Sequence, residues 1–261
     1  MRRTASSFFF RMVAVLIATT ALHAEEAAET LPPPPKVETI LQRLWANRAR
    51  KDFSLKARLF VSREEAVPVD IGIKNLPDEV RTIYRAEKTK LLIVQSQQNL
   101  PRFYLAGSGE LTGTNRMERL LGSWINYYDL GMPFLYWPEP KCVGYERVRA
   151  QDCYAIEVKS TTEPYRRVKF CVQTEYFALL RAEAFDVDDN PVKRISITSF
   201  KKIGDVWVPR GMDFLFVPSG QSMPSSEKSR LEIYDGNYDA TLPLSDFDPV
   251  QFGAKPSAAS N

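Results

Sequence analysis

The residues able to do chemistry are few in kind. The chain carries one histidine, His23, three cysteines, Cys142, Cys153 and Cys171, and 32 carboxylates with no recurring spacing. Serine and cysteine hydrolases draw on an imidazole base, and most zinc and non-haem iron sites use histidine ligands, so the place of His23 decides much. It falls inside an N-terminal stretch, residues 1–24, that reads as a secretory signal. Arg2, Arg3 and Arg11 supply its basic region, residues 12–22 its apolar region, and Ala24 a small residue at the cleavage point. The exported chain would then hold no histidine. A transmembrane anchor is the competing account of the apolar run, which is shorter than the roughly 20 residues a span needs.

What survives is chemistry by carboxylates alone, as in glycosidases that use an Asp/Glu pair. No spaced pair marks such a site, so the expectation is a protein that is not an enzyme, with no cofactor and no metal. Loss of residues 1–24 removes three of the 35 basic residues and no acid, leaving 32 of each sign. The formal charge of +3 therefore belongs to the signal. A near-neutral exported chain is not expected to bind nucleic acid.

Three cysteines allow at most one internal bridge. If the hairpin around residues 161–164 folds about Thr162, Cys153 and Cys171 lie directly opposite each other, where a cross-strand bridge is possible. Cys153 to Cys171 with Cys142 free is the leading pairing; Cys142 to Cys153, or no bridge at all, stay open.

The elements around these residues follow from periodicity. Residues 25–36 are acidic and then proline-rich, which suits an exposed extended linker. Val37, Ile40, Leu41, Leu44, Trp45 and Ala49 fall on one face at helical spacing. The period then drops to two: Phe53, Leu55, Ala57, Leu59 and Val61, and next Val67, Val69, Ile71 and Ile73, alternate with polar or small residues as half-buried strands do. Less clean strands are expected at 80–86, 91–95 and 102–105, with a loop over 107–113. Met117, Leu120, Leu121, Trp124, Ile125 and Tyr128 trace a second helical stripe, with Thr114 placed to cap it and Gly131 to stop it.

That helix feeds an aromatic run, Met132 to Trp137, in which Pro133, Pro138 and Pro140 forbid a regular helix or a central strand. Strands are then expected at 141–147, 152–159, 166–172, 179–186, 193–202, 206–217 and 230–238, joined by short turns and hence antiparallel. The fold class is α+β: a long meander that curls, with helices on one side. One domain over 37–252 and a disordered tail, 253–261, complete the organisation.

If the sheet curls, its concave side collects Leu59, Ile71, Ile73, Tyr154, Ile156, Val158, Phe170, Ile195, Ile197, Phe214 and Phe216. Trp124, Phe134, Leu135 and Trp137 arrive from the covering segment. These side chains either fill one another or wall a cavity kept for an apolar guest. Arg147, Arg149, Arg166, Arg167, Lys193, Arg194, Lys201 and Lys202 could meet anionic headgroups or a partner, or serve as the solvated face and edge guard of the strands.

The succession of signal, amphipathic helix, strands, second stripe, the GMPFLYWPEPK loop, DCYAIEV and the segment LLRAEAFDVDDNPVKRISITSFKKIGDVWVPRGMDF resembles the LolA-like outer-membrane lipoprotein-sorting proteins. The likeness runs from about Val37 to Phe252. It implies a curved antiparallel unclosed β-barrel, covered on its concave side by helices and an aromatic loop. It further implies a periplasmic monomer that carries acyl chains of lipoproteins or lipids between inner- and outer-membrane partner proteins, with Trp124, Phe134, Leu135 and Trp137 in the lid. An envelope protein-interaction or stress-sensing module with the same fold is the alternative.

Overall fold

The computed structural model describes residues 32–47, 50–62, 65–97, 99–217 and 227–253. The expected signal, most of the linker, Ala49 and all but the first residue of the tail lie outside the described residues. The described residues from Pro34 onward belong to one compact unit.

A helix α1 (Val37–Ala46) precedes six strands: β1 (Phe53–Phe60), β2 (Ala66–Asn75), β3 (Glu79–Ala86), β4 (Thr89–Ser96), β5 (Arg102–Leu105) and β6 (Gly109–Leu111). A short helix α2 (Tyr127–Gly131) lies in the connection to seven more: β7 (Lys141–Val148), β8 (Gln151–Lys159), β9 (Arg167–Gln173), β10 (Leu179–Phe185), β11 (Pro191–Ile203), β12 (Val206–Phe216) and β13 (Lys228–Tyr238). Among the described residues no helix is long and apolar enough to cross a membrane.

Among the described residues, 13 strands form one antiparallel sheet in the order β6-β5-β4-β3-β2-β1-β13-β12-β11-β10-β9-β8-β7. Two meanders are thus joined at the middle by pairing of the first strand with the last, Phe53 opposite Tyr238 and Leu59 opposite Leu231. The sheet is not closed, and its two free edges, β6 and β7, are neighbours in sequence. Laid flat, thirteen strands would hold those edges about 58 Å apart. The connection between them, residues 112–140, runs from edge to edge and packs on one face, called here the inner face.

Alternation sets that face. Phe53, Leu55, Ala57 and Leu59 are buried while Ser54, Lys56 and Arg58 are exposed. The weaker alternation of β3 and β4 has a physical cause: both of their faces are buried. Ile83, Leu92, Val94 and Tyr104 form a separate outer cluster under Phe247 and Phe252, which come from the single turns Leu244–Phe247 and Pro249–Phe252. The Arg81 guanidinium donates to the Phe247 carbonyl at 2.9 Å, and Arg85 pairs with Asp246 at 2.9 Å. Gly72 makes this approach possible, since a Cβ there would sit 3.0 Å from the Phe247 ring.

The second helical stripe does not form one helix. Over it run the single turns Gly113–Met117 and Leu120–Gly122, and then the five-residue α2. Gly113 and Gly122 have positive φ, and Leu121 sits at φ 49, ψ 40. The chain doubles back instead, with Arg119 bridged to Asn126 and the Leu120 amide donating to the Ile125 carbonyl at 2.8 Å. Apolar residues three and four apart thus face the core from successive turns. The aromatic run after it is irregular as its prolines require: Met132 is left-handed, and Pro133–Tyr136 is one tight turn.

The β8–β9 register is two residues away from the one expected. Cys153 stands opposite Gln173, and Cys171 opposite Ala155. The two cysteines are diagonal neighbours, at a separation of about 7–8 Å for such positions, beyond easy reach of a bridge. All three cysteines are free.

Cys153 and Cys171 lie on the outer face in a small cluster with Val148 and Leu180. The Cys171 thiol donates to Glu146 at 3.2 Å, and Glu146 also binds Lys169 and Arg181. Burial, with the Glu146 bond, pushes the Cys171 thiol up to about 12, so it is no nucleophile at neutral pH. On Glu146 burial acts upward, but the bonds from Lys169 and Cys171 and the nearby positive charges outweigh it and hold the carboxyl below its ordinary value.

A carboxyl depressed in the folded state contributes stability that is present above its unfolded value and lost as pH falls through the folded one. Urea midpoints measured from about pH 5 down to pH 2 should therefore fall for the native chain. They should fall less steeply for Glu146→Gln, and equal slopes would remove the assignment.

Candidate functional site

The inner face gathers residues from most of the sheet into one buried cluster. Leu59 on β1, Ile71 on β2, Tyr154 and Ile156 on β8, Phe170 on β9, Ile195 and Ile197 on β11 and Phe214 on β12 all belong to it, together with Phe134 and Trp137 from the connection. Ile73 and Leu135 are half-buried against it. Trp124 and Phe216 are half-buried as a stacked pair, 4.8 Å between ring centres and 4° between planes, and the Arg119 guanidinium lies 3.7 Å from the Trp124 ring centre. All of the expected site residues therefore share this face. They do not wall an open groove: Phe134 lies 5.6 Å from the Phe170 ring, and its exposure is 3%. The protein's own side chains occupy the surface that a guest would use.

The packing over this face comes from four stretches. α1 contributes the fully buried Ile40, and its Trp45 ring sits 4.5 Å from Tyr136. Its Arg43 guanidinium lies over the Phe177 ring, and the Asn47 amide donates to the Phe177 carbonyl at 3.3 Å. Residues 112–140 contribute Leu120, Ile125, Tyr127, Tyr128 and Leu130, and the β8–β9 and β9–β10 turns contribute Tyr165 and Phe177. Gly131 must be glycine, since a Cβ there would lie 2.5 Å from the buried Phe103 ring.

Polar ties fix the connection to the sheet. The Gln95 amide on β4 donates to the Gly131 carbonyl at 3.0 Å, and the Trp124 amide donates to Ser229 Oγ on β13 at 2.9 Å. The strongest tie is an ion pair buried on both sides. Lys193 Nζ is 2.9 Å from Asp129 Oδ2, with side-chain exposures of 4% and 0%. Lys193 also donates to the Trp124 carbonyl, Tyr165 Oη donates to Asp129 Oδ1 at 2.8 Å, and the Asn126 amide donates to Asp129 Oδ2 at 3.1 Å. Burial and the Asp129 charge raise the Tyr165 hydroxyl well above its ordinary value, so it remains a donor.

Sequence reasoning placed Lys193 among solvated cations. The signal that could have found it was parity: Lys193 shares its face with Ile195 and Ile197. Asp129 could have been flagged as a lone acid inside an apolar run. Of the other cations in that group, Arg194 pairs with Glu183, Arg167 pairs with Glu157 and Asp189, and Arg149 donates to the Thr198 carbonyl at 2.7 Å.

A polar cleft of about 970 Å³ opens beside the C-terminal end of α1, walled by Trp45, Arg50, Asn75, Asp78, Gln95 and Arg102 among others. None of the expected site residues lines it.

Against known proteins, a family model whose description reads "uncharacterized protein" matches residues 85–252. The chain belongs to that family. Solved structures share its fold, three of them as follows. A DUF1329 family protein from Desulfovibrio piger superposes with a TM-score of 0.69 at 16% identity, covering 82% of this chain and 96% of its own. An outer-membrane lipoprotein-sorting protein domain, so described as putative, from Vibrio parahaemolyticus gives 0.69 at 15%, covering 83% and 97%. A LolA superfamily protein from Nitrosomonas europaea gives 0.58 at 17%, covering 82% and 98%. The fold of this family member is thus LolA-like. No curated protein matches the chain.

Proposed function

We propose that the chain is an exported, periplasmic carrier that shelters the acyl chains of lipids or lipoproteins between the sheet's inner face and a lid formed by α1 and residues 112–140, without catalysis. One observation carries the reading. A single apolar cluster runs across both meanders, and its cover is a connection of single turns tied to the sheet at few points. Such a cover can lift as a unit while the strands stay paired.

The likeness to the Vibrio lipoprotein-sorting domain supports the same reading. The sheet's curvature, the signal over 1–24, the domain over 37–252, the monomeric state and the donor and acceptor proteins of the two membranes are parts of this proposal. Each buried methylene is worth about 0.8 kcal/mol, so acyl chains have the driving force to compete with the side chains that now fill the face.

The test is uptake of a fluorophore-bearing triacylated peptide by delipidated mature protein. Binding at low micromolar Kd supports the carrier. A second reading, an envelope protein-interaction module, is favoured by the filled inner face and by two exposed aromatics on the outer one, Trp207 at 65% and Tyr234 at 41% exposure. No uptake of the peptide, with stoichiometric capture of an envelope protein, would decide for that module.

A further inference from the structure

The polar cleft beside α1 lies against the cover of the inner face. Its wall residue Gln95 donates to the Gly131 carbonyl of the connection at 3.0 Å, and Trp45, on another wall, packs on Tyr136 with 4.5 Å between ring centres. Gly131 in turn rests on the Phe103 ring of the apolar cluster. The connection at Gly131 therefore touches both the cleft and the apolar interior.

Charge is arranged differently on the two sides. On the inner face Lys193 and Asp129 neutralise each other, so the charged head of an acyl ligand would find no partner there, and burying it unpaired is costly. The cleft has charge to spare. Arg50 and Asp78 line it, are exposed, and have no bonded partner among the described residues. Glu79 is taken by Arg81, whose Nε donates to its Oε1 at 2.6 Å. That leaves Arg102 with only Glu79 Oε2, at 4.0 Å, and with its side chain 56% exposed.

The cleft thus offers two guanidinium groups and one carboxylate around a single opening of about 970 Å³, which is within the size range of small-ligand sites. A guanidinium binds phosphate through paired N–H donors, and a carboxylate accepts from a primary ammonium. A head carrying both signs uses all three side chains. A purely anionic head would bring like charge to Asp78, and a neutral head would leave both arginines unserved.

We propose that the cleft is a headgroup site for zwitterionic amphiphiles whose phosphate lies beside a primary ammonium, with Arg50 and Arg102 on the phosphate and Asp78 on the ammonium. The acyl chain would pass under the connection at Gly131 into the apolar cluster. The inference rests on the carrier reading and names a ligand class for it.

The experiment compares lauroyl lysophosphatidylethanolamine, lauroyl lysophosphatidylglycerol and monolauroylglycerol, which share one acyl chain, each below its critical micelle concentration, on delipidated mature protein. The ethanolamine lipid should bind about tenfold tighter than monolauroylglycerol and about threefold tighter than the phosphatidylglycerol analogue. Arg50→Gln combined with Arg102→Gln should bring the first ratio to about twofold or less, and Asp78→Asn should erase the second. All three residues are exposed, so the thermal midpoints should stay at the native value. Phosphoethanolamine without a chain should compete only at about millimolar concentration. Its displacing the lipid at micromolar concentration would make this a site for the free head and overturn the amphiphile assignment. Equal binding of the three lipids, or ratios that the variants leave unchanged, overturns the headgroup site and leaves the carrier reading intact. Binding of none overturns both.

Discussion

Replacing Lys193 with methionine should lower the unfolding free energy by about 3–5 kcal/mol, read from urea curves followed by tryptophan fluorescence. Methionine fills much of the same volume, so the effect isolates the charge. The Asp129 carboxylate would remain fully buried opposite nothing of opposite sign, and the Trp124 carbonyl would lose its donor. A second change separates pairing from packing. In the Lys193→Met background, Asp129→Asn removes the stranded charge and keeps a carbonyl to accept from Tyr165, so it should recover about half of the loss or more. A Lys193→Met chain within about 1 kcal/mol of the native one would mean that the pair does not hold the connection to the sheet.

Most of the strands were legible, and for a plain reason. A strand with one buried face writes a period of two into the sequence, and β1 follows it from Phe53 to Leu59 and β2 as far as Ile71. β3 and β4 carry a weaker signal because Phe247 and Phe252 bury their second face. The pairing of β1 with β13 left no local trace, since it joins residues some 180 positions apart. It nevertheless decides the architecture by putting β6 and β7 at opposite edges and sending the connection between them across the inner face.

The stretch from Thr114 to Gly131 misled because a series of turns around Gly113 and Gly122 can present apolar residues at the same spacing as a helix. The cysteine pairing failed by two residues of register, which turn residues alone do not fix. The strand residues among the expected site, such as Leu59, Ile71, Ile156, Phe170 and Ile195, share the inner face because alternation along a strand is legible in sequence. Their polar partners were missed, because a lysine or an acid in a strand or turn is ordinarily solvated, and only the assembled sheet brings Lys193, Asp129 and Tyr165 together.

Phe134→Ala should separate stability from uptake, moving them in opposite directions. The ring is 3% exposed and packs on Phe170 at 5.6 Å, so its loss should reduce the unfolding free energy by about 3–5 kcal/mol. Were the inner face an open groove lined by Phe134, the same change would also weaken acyl binding. The face is instead filled by the protein's own side chains, so a guest must compete with Phe134 for its place. Removing that competitor leaves a dry apolar void of the kind that takes up apolar ligands. If the void admits two further methylenes at about 0.8 kcal/mol each, the triacylated peptide should bind roughly tenfold tighter to Phe134→Ala than to the native chain. Chemical denaturation and fluorescence titration on the same preparation give both readings. Weaker uptake by a folded Phe134→Ala chain would show that Phe134 itself grips the acyl chain, and the picture of a guest displacing the native filling would fail.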